Sequence, residues 1–288
     1  MEIVCTLSNF DMYIDVSSKV DGIVLGTPFS FYANHIFTEE EIMKLILLSR
    51  TDGKKVFLLL NLVMHEEYKE GVKKYIEKYR NEGVYFIFQD LGILNILSQY
   101  GIINKGIYNP LTMITNYEDL LVYDDLGLDA VGLSNEIPIG DIDYCSKKSK
   151  NVFYLGFGYH PIFQTYRKVA TLYKNHSSLS FNLSNLSIKE LNKDDRFPLL
   201  ENDYGSVIFR DGVISILELI EKVKDIKYLL IDGLFLDEKT QVEVISIYSE
   251  VINNQISKEQ GIAKISELSL KYSNKFMYED SVYNPEDF

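Results

Sequence analysis

Short apolar runs recur along the chain, and between them apolar residues fall three and four positions apart on one stripe, so strand signals alternate with helix signals. The runs are 3–7 IVCTL, 22–26 GIVLG, 55–60 KVFLLL, 84–88 VYFIF, 103–107 INKGI, 129–133 DAVGL, 151–155 NVFYL and 226–231 IKYLLI. Helical stripes are clearest at Ile42, Leu45 and Ile46, at Tyr68, Val72, Tyr75, Ile76 and Tyr79, and over 238–252 at Val242, Ile245, Tyr248 and Ile252. Thr38 with Glu41 three residues later reads as a capping box, and the acids of the first turn favour the positive end of the helix dipole. Eight strands separated by helices predict an α/β fold, a TIM-like (β/α)8 barrel, closed or in an incomplete or distorted form.

The spacing breaks once. Between the seventh and eighth runs lie about 70 residues, far more than a usual βα connection. Within that stretch HSSLSFNLSNLS (176–187) alternates like an edge strand, and FPLLENDYGSVIFRDG (197–212) reads as a hairpin turning at Asp203-Tyr204-Gly205. The expected organisation is one barrel domain over 1–288, with an insertion at about 161–225 and an acidic, loosely held tail at about 277–288.

Composition narrows the function classes. The 288 residues are 46% hydrophobic, enough for one large core. No run is long and apolar enough for a membrane span, and the N-terminus shows no signal-peptide pattern, so a cytoplasmic protein without a membrane partner is expected. The formal charge of −13 repels nucleic-acid phosphate, which argues against DNA binding and requires any RNA to be met through a local patch or a partner. Two cysteines, Cys5 and Cys145, are too few for a four-thiolate cluster or zinc site, so no bound metal is expected.

In parallel βα architectures the ligand sits where the strands end, so the residues just past each run are the candidates. Asn61 can project an amide into the mouth or cap a turn. His65 falls in a first helical turn and lacks the second histidine of a zinc-peptidase helix. Asp90 follows the fourth run, Glu136 follows the sixth and is either a site carboxylate or half of a salt bridge, and Asp232 before Gly233 is a site group or a turn cap. His160, next to Pro161 in FGYHPIFQTYRK (157–168), has no nucleophile or acid near it in sequence to complete a triad. Arg167 and Lys168 close that stretch, as an anion-binding pair or as a solvated cationic face.

Several of these segments, taken in order, resemble peptidase family U32. FGYHPIFQTYRK is similar, at Gly158, Thr165 and Arg167, to the family's His-Gly-x-x-Cys-x-x-x-Ser-x-Arg segment. LLLNLVMH carries Asn61 and His65 at the spacing of its Asn-x-x-x-His stretch, and LSNE places Ser134 and Glu136 as in its Ser-Arg-Glu motif. RFPLLENDYGSVIF and LLIDGLF resemble its hairpin and its terminal Asp-Gly strand. Phe157, Pro161 and Asn135 depart from the pattern, standing where the family has His, Cys and Arg.

The resemblance implies a short member without a cluster, encoded beside a longer paralogue that holds four-cysteine iron–sulfur chemistry. It also implies prephenate-dependent 5-hydroxylation of the wobble uridine of tRNA, with that paralogue as partner and tRNA reached through it. Asn61, Glu136 and Arg167 are then the expected catalytic positions, with His65, Asp90, His160, Lys168 and Asp232 around the substrate. The collagenase-like peptidase activity after which the family is named, and a purely scaffolding role, are the alternatives. Against proteolysis, the sequence shows no nucleophile-and-base spacing, no zinc motif and no carboxylate dyad.

Overall fold

A computed structural model describes residues 1–177, 180–183, 185–189, 191–274 and 277–278. Strands β1 (Glu2–Thr6), β2 (Gly22–Gly26), β3 (Lys55–Leu60), β4 (Tyr85–Phe88), β5 (Gly106–Tyr108), β6 (Ala130–Gly132) and β7 (Val152–Thr165) follow one another in parallel. Helices α1 (Met12–Val16), α2 (Glu39–Thr51), α3 (Glu66–Tyr79), α4 (Leu91–Gln99), α5 (Tyr117–Asp125) and α6 (Ile139–Lys148) lie between them.

After β7 come helix α7 (Val169–Ser177) and strands β8 (Leu186–Lys189), β9 (Arg196–Asn202) and β10 (Gly205–Ser215). The chain then re-enters the barrel as β11 (Tyr228–Ile231), which pairs in parallel with both β1 and β7 and closes eight strands into a barrel. Helices α8 (Glu238–Ile252) and α9 (Lys258–Ser266) complete the outer ring.

The barrel strands read as continuous apolar runs because both of their faces are covered. Val4, Val24, Phe57, Ile87, Ile107, Ala130, Phe153 and Tyr228 fill the interior, one from each barrel strand. The alternate residues, such as Cys5, Leu25, Leu58 and Phe86, pack outwards against the helices. At the amino-terminal end of the barrel Lys55 pairs with Glu2 (2.7 Å) and lies over the Tyr228 ring (4.9 Å), and Asp129 takes a hydrogen bond from the Tyr228 hydroxyl (2.8 Å), so charge plugs that end. The capping box at α2 is present: the Thr38 N–H donates to Glu41 Oε2 (2.8 Å) and the Glu41 N–H donates to Thr38 Oγ1 (3.3 Å).

Beyond the rim β7 continues and pairs antiparallel with β10, which pairs with β9, and β9 with β8, so the insertion extends the barrel wall as a four-stranded meander. The hairpin turning at Asp203-Tyr204 is as the sequence predicts. Two elements differ. Residues 103–105 form a 3-10 turn and β5 starts only at Gly106, after Gly101 ends α4 with φ +69°. The edge strand expected over 176–187 comes later: α7 reaches Ser177, the described residues 180–183 and 185 are not strand, and the edge strand β8 begins at Leu186, while 178, 179 and 184 lie outside the described residues. Lys174 donates to the Phe181 carbonyl (2.9 Å), so this segment folds back onto the helix. Asn185, at φ +55°, stands just before β8. Of the expected tail, Met277 is buried, Tyr278 donates to Glu218 (2.8 Å), and residues 279–288 lie outside the described residues. Among the described residues no helix is long and apolar enough to cross a membrane.

Candidate functional site

The carboxyl ends of the barrel strands converge on a narrow crevice. Its empty volume is about 730 Å3 with open solvent included. Leu59, Ile87, Leu133, Leu155 and Leu230 make its apolar floor and walls, while Thr6, Asn61, Asn109, Asn135 and Asp232 bring polar groups to it from five strand ends. Tyr32 and Tyr159 form the rim. Phe209 of the insertion packs edge-on against Tyr32 (5.4 Å) and against Phe235 (5.0 Å), and Phe235, which follows β11, packs on Tyr159 (5.5 Å), so an aromatic wall backs that side.

Asp232 is the carboxylate of the crevice. Its Oδ1 accepts from Thr6 Oγ1 (3.0 Å) and from the Leu234 N–H (3.1 Å), and Oδ2 has no partner among the described residues. The side chain keeps some contact with crevice solvent but is otherwise surrounded by protein, and this burial raises its pKa against the opposing pull of Leu234 and Thr6. Thr6 Oγ1 also accepts from the Gly233 N–H (3.0 Å) and from Asn34 Nδ2 (3.1 Å), while Gln241 Nε2 donates to the Thr6 carbonyl (2.6 Å). With its lone pairs occupied and its proton on Asp232, this hydroxyl is a fixed strut with no free nucleophilic lone pair. Gly158 lets β7 pass close to Asp232: it sits at φ +140°, and a Cβ there would lie 2.9 Å from Asp232 Cβ.

Asn61 is 6% exposed and spends its amide on the β2–α2 loop. Oδ1 accepts from the Phe31 N–H (2.8 Å) and Nδ2 donates to the Tyr32 carbonyl (3.1 Å). It therefore holds Tyr32 at the rim. Burial and the nearby Asp232 charge raise the Tyr32 phenol's pKa.

On the opposite side Asn135 Nδ2 lies 3.4 Å from His160 Nδ1, and His160 Nε2 lies 3.9 Å from Glu136 Oε1. An amide donating to Nδ1 places the ring proton on Nε2, facing Glu136. His160 is fully buried, which lowers its pKa against the pull of Glu136. Glu136 is held below its ordinary pKa first by His160, with Arg210 adding its charge. Arg210 stands in the β10 bulge between Phe209 and Val213, opposite His160. This arrangement turns the buried Asn135 so that its Oδ1, which has no hydrogen-bond partner among the described residues, is left on a side chain that lines the crevice.

The other expected residues lie elsewhere. His65 is the N-cap of α3 and stacks on Tyr166 (3.7 Å between ring centroids). Asp90 caps α4, accepting from the Gly92 N–H (2.7 Å) and from the Met64 N–H (2.9 Å), and lines a separate shallow groove beside the crevice. Lys168 is exposed and paired with Asp203 (2.8 Å), and Arg167 is exposed; neither lines the crevice. The structure thus gathers Asn61, Asp232 and, through Asn135, the His160–Glu136 pair, and leaves His65, Asp90, Arg167 and Lys168 outside. Thr6, Tyr32, Asn34, Asn109, Tyr159 and Gln241 were not singled out by the sequence. Asn109 carried a signal, since it follows β5 once the strand is placed one residue later.

The fit to an iron–sulfur cluster is poor. Cys5 sits in β1 facing the helices and Cys145 in α6; both are buried, and burial pushes Cys145 up to about 11 and Cys5 higher still. No group of three or more His, Cys, Asp or Glu among the described residues is placed to hold a metal.

The family model described as peptidase family U32 matches residues 11–283. The chain is 20% identical over 268 residues to tRNA hydroxylation protein P2 of Bacillus subtilis (strain 168), covering 86% of this chain and 87% of that protein. Among solved structures it is similar to the U32 peptidase Mk0906, with a TM-score of 0.51 and 9% identity over 81% of this chain and 92% of that one, a likeness of fold alone.

Proposed function

The chain belongs to peptidase family U32, and from that membership we propose that it is a component of tRNA wobble-uridine 5-hydroxylation that works with a longer, cluster-bearing member of the family. The observation that carries this reading is the match, over nearly the whole of both chains, to a protein named for tRNA hydroxylation. The crevice supports it. Hydrolysis of a peptide bond needs an activated nucleophile or water, and the groups here are amides, one carboxylate, a hydroxyl whose lone pairs are taken and phenols whose pKa burial raises. Two buried thiols on separate elements do not make a cluster, so the oxidising chemistry falls to the partner. With a net charge of −13 this chain meets tRNA through that partner, and the exposed Arg167 is the group offered to an anion there.

The test is mass spectrometry of wobble uridine in tRNA from cells with and without the gene, complemented by wild type, Asp232→Asn or Arg167→Ala. Deletion should remove the 5-hydroxyuridine-derived nucleosides, wild type should restore them, and both variants should restore them poorly. Unchanged modification in a strain lacking every paralogue able to substitute defeats the proposal. Cleavage of a peptide by the purified chain restores the peptidase reading.

A further inference from the structure

We infer that the crevice binds an uncharged planar ring bearing N–H donors, of the size of a pyrimidine base, and rejects dicarboxylates. The choice of a pyrimidine rests on the proposed role in uridine modification, whereas the charge and donor requirements rest on the crevice alone.

Three observations converge. First, among the described residues no lysine, arginine or histidine lines the crevice, and its one carboxyl group is Asp232. A carboxylate ligand would lose its hydration there beside a like charge, with no cation to compensate. Second, two of the unspent polar groups can only accept, while the phenols of Tyr32, Tyr154 and Tyr159 can donate or accept. Among the described residues Asn135 Oδ1 is buried without a hydrogen-bond partner, Asp232 Oδ2 has none, and the unpartnered Asn109 amide adds one acceptor and two N–H donors. A buried acceptor without a partner is costly unless a ligand supplies the donor. Third, the remaining walls are apolar and aromatic and the space is narrow, which suits the two faces of a flat ring. A ring N–H flanked by carbonyls meets this set: the N–H donates to Asn135 or Asp232, and a carbonyl accepts from Asn109 Nδ2.

Glu136 and His160 act as positioning residues. They do not line the crevice, and they hold Asn135 with its nitrogen turned to His160 and its oxygen left unpaired.

The experiment is an NMR titration of the purified full-length chain with uridine, 3-methyluridine and prephenate. Uridine should shift crevice resonances and saturate below about 10 mM, and 3-methyluridine, which lacks the ring N–H, should bind at least about tenfold more weakly. Prephenate should shift none of them. Asn135→Leu should weaken uridine at least about tenfold, and Asn109→Ala, at the partly exposed rim, serves as a second variant should Asn135→Leu fail to fold. His160→Gln should weaken uridine with a smaller loss against 3-methyluridine, since positioning matters only to a ligand that uses Asn135.

Equal binding of uridine and 3-methyluridine, displacement of uridine by prephenate, or no uridine binding at about 10 mM each overturns the inference. The proposed role is tested separately. Nucleoside bound in the crevice with wobble modification unaffected by deletion sinks the role and keeps this inference, and the reverse pattern does the opposite.

Discussion

Replacing Asn61 by alanine should destabilise the protein before it does anything to chemistry. The substitution removes the acceptor for the Phe31 N–H (2.8 Å) and the donor to the Tyr32 carbonyl (3.1 Å) at a site 6% exposed. Each backbone group left buried and unpaired costs about 1–3 kcal/mol. The loop has other anchors, since Thr27 Oγ1 and Ser30 Oγ both donate to the Leu59 carbonyl (2.7 Å each) and Asn202 Nδ2 donates to the Phe31 carbonyl (2.6 Å). It will therefore relax rather than detach, and water reaching it through the crevice recovers part of the loss. The net expectation is about 2–4 kcal/mol, or a fall in Tm of about 4–12 °C for a chain of this size. With 21 tyrosines and no tryptophan, far-UV circular dichroism or tyrosine fluorescence is the readout for thermal and urea unfolding. Asn61→Asp is the sharper control, because it keeps an acceptor for Phe31 but cannot donate to Tyr32 and adds a carboxylate near Asp232. An Asn61→Ala protein within about 0.5 kcal/mol of wild type, or an Asn61→Asp protein as stable as wild type, would refute the assignment of Asn61 to the loop and return its amide to the ligand.

Asp232→Asn should stabilise the protein at pH 7 while impairing the site: burial raises the folded carboxyl above its ordinary 3.8, so the cost of the ionised group appears as pH rises through that window and is absent below it. The variant's advantage in urea midpoint must therefore shrink towards pH 4, and an advantage independent of pH would refute this. His160, whose pKa burial lowers, refuses a proton that the unfolded chain accepts below the ordinary 6.5, so stability should fall as pH drops through and below that value. His160→Gln should flatten that part of the curve, and an unchanged slope would show that another group carries it. Gly158→Ala should cost at least about 2 kcal/mol, read as a urea midpoint shift, since φ +140° and the approach to Asp232 both exclude a Cβ.

The barrel was legible because each parallel strand is covered on both faces and so prints a compact apolar run; all eight runs became barrel strands, and the helix read over 238–252 is α8. Local chemistry was legible where a few adjacent residues settle it, as at the Thr38–Glu41 capping box and the turn at Asp203-Tyr204. The misplacements come from places where a contact outside the window decides. The stretch 176–187 alternates, yet α7 takes its first two residues, β8 only its last two, and Lys174 ties the Phe181 carbonyl back to α7. INKGI has strand-like residues, yet its first three complete the turn that leaves α4.

The site was less legible for a related reason. The strand-end rule finds side chains that stand near the mouth, but it does not say where their hydrogen bonds go. Asn61 and Asp90 both obey the rule, and both are consumed by neighbouring backbone. The groups that fix Asp232 come from Thr6, Asn34 and Gln241, the last of which meets Thr6 across 235 positions, and no local pattern announces such a meeting. Arg167 shows the opposite error. The motif that ends in it begins at the barrel rim, but β7 stays extended from Gly158 to Thr165, seven steps of about 3.3 Å each. That length carries the backbone about 20 Å along the strand beyond Gly158, out over α3, where Tyr166 stacks on His65 just before Arg167. Sequence proximity within a motif measures distance only while the backbone turns, and here it runs straight; the cation that the motif seemed to give the crevice belongs to the outer surface, which leaves the crevice to an uncharged ligand.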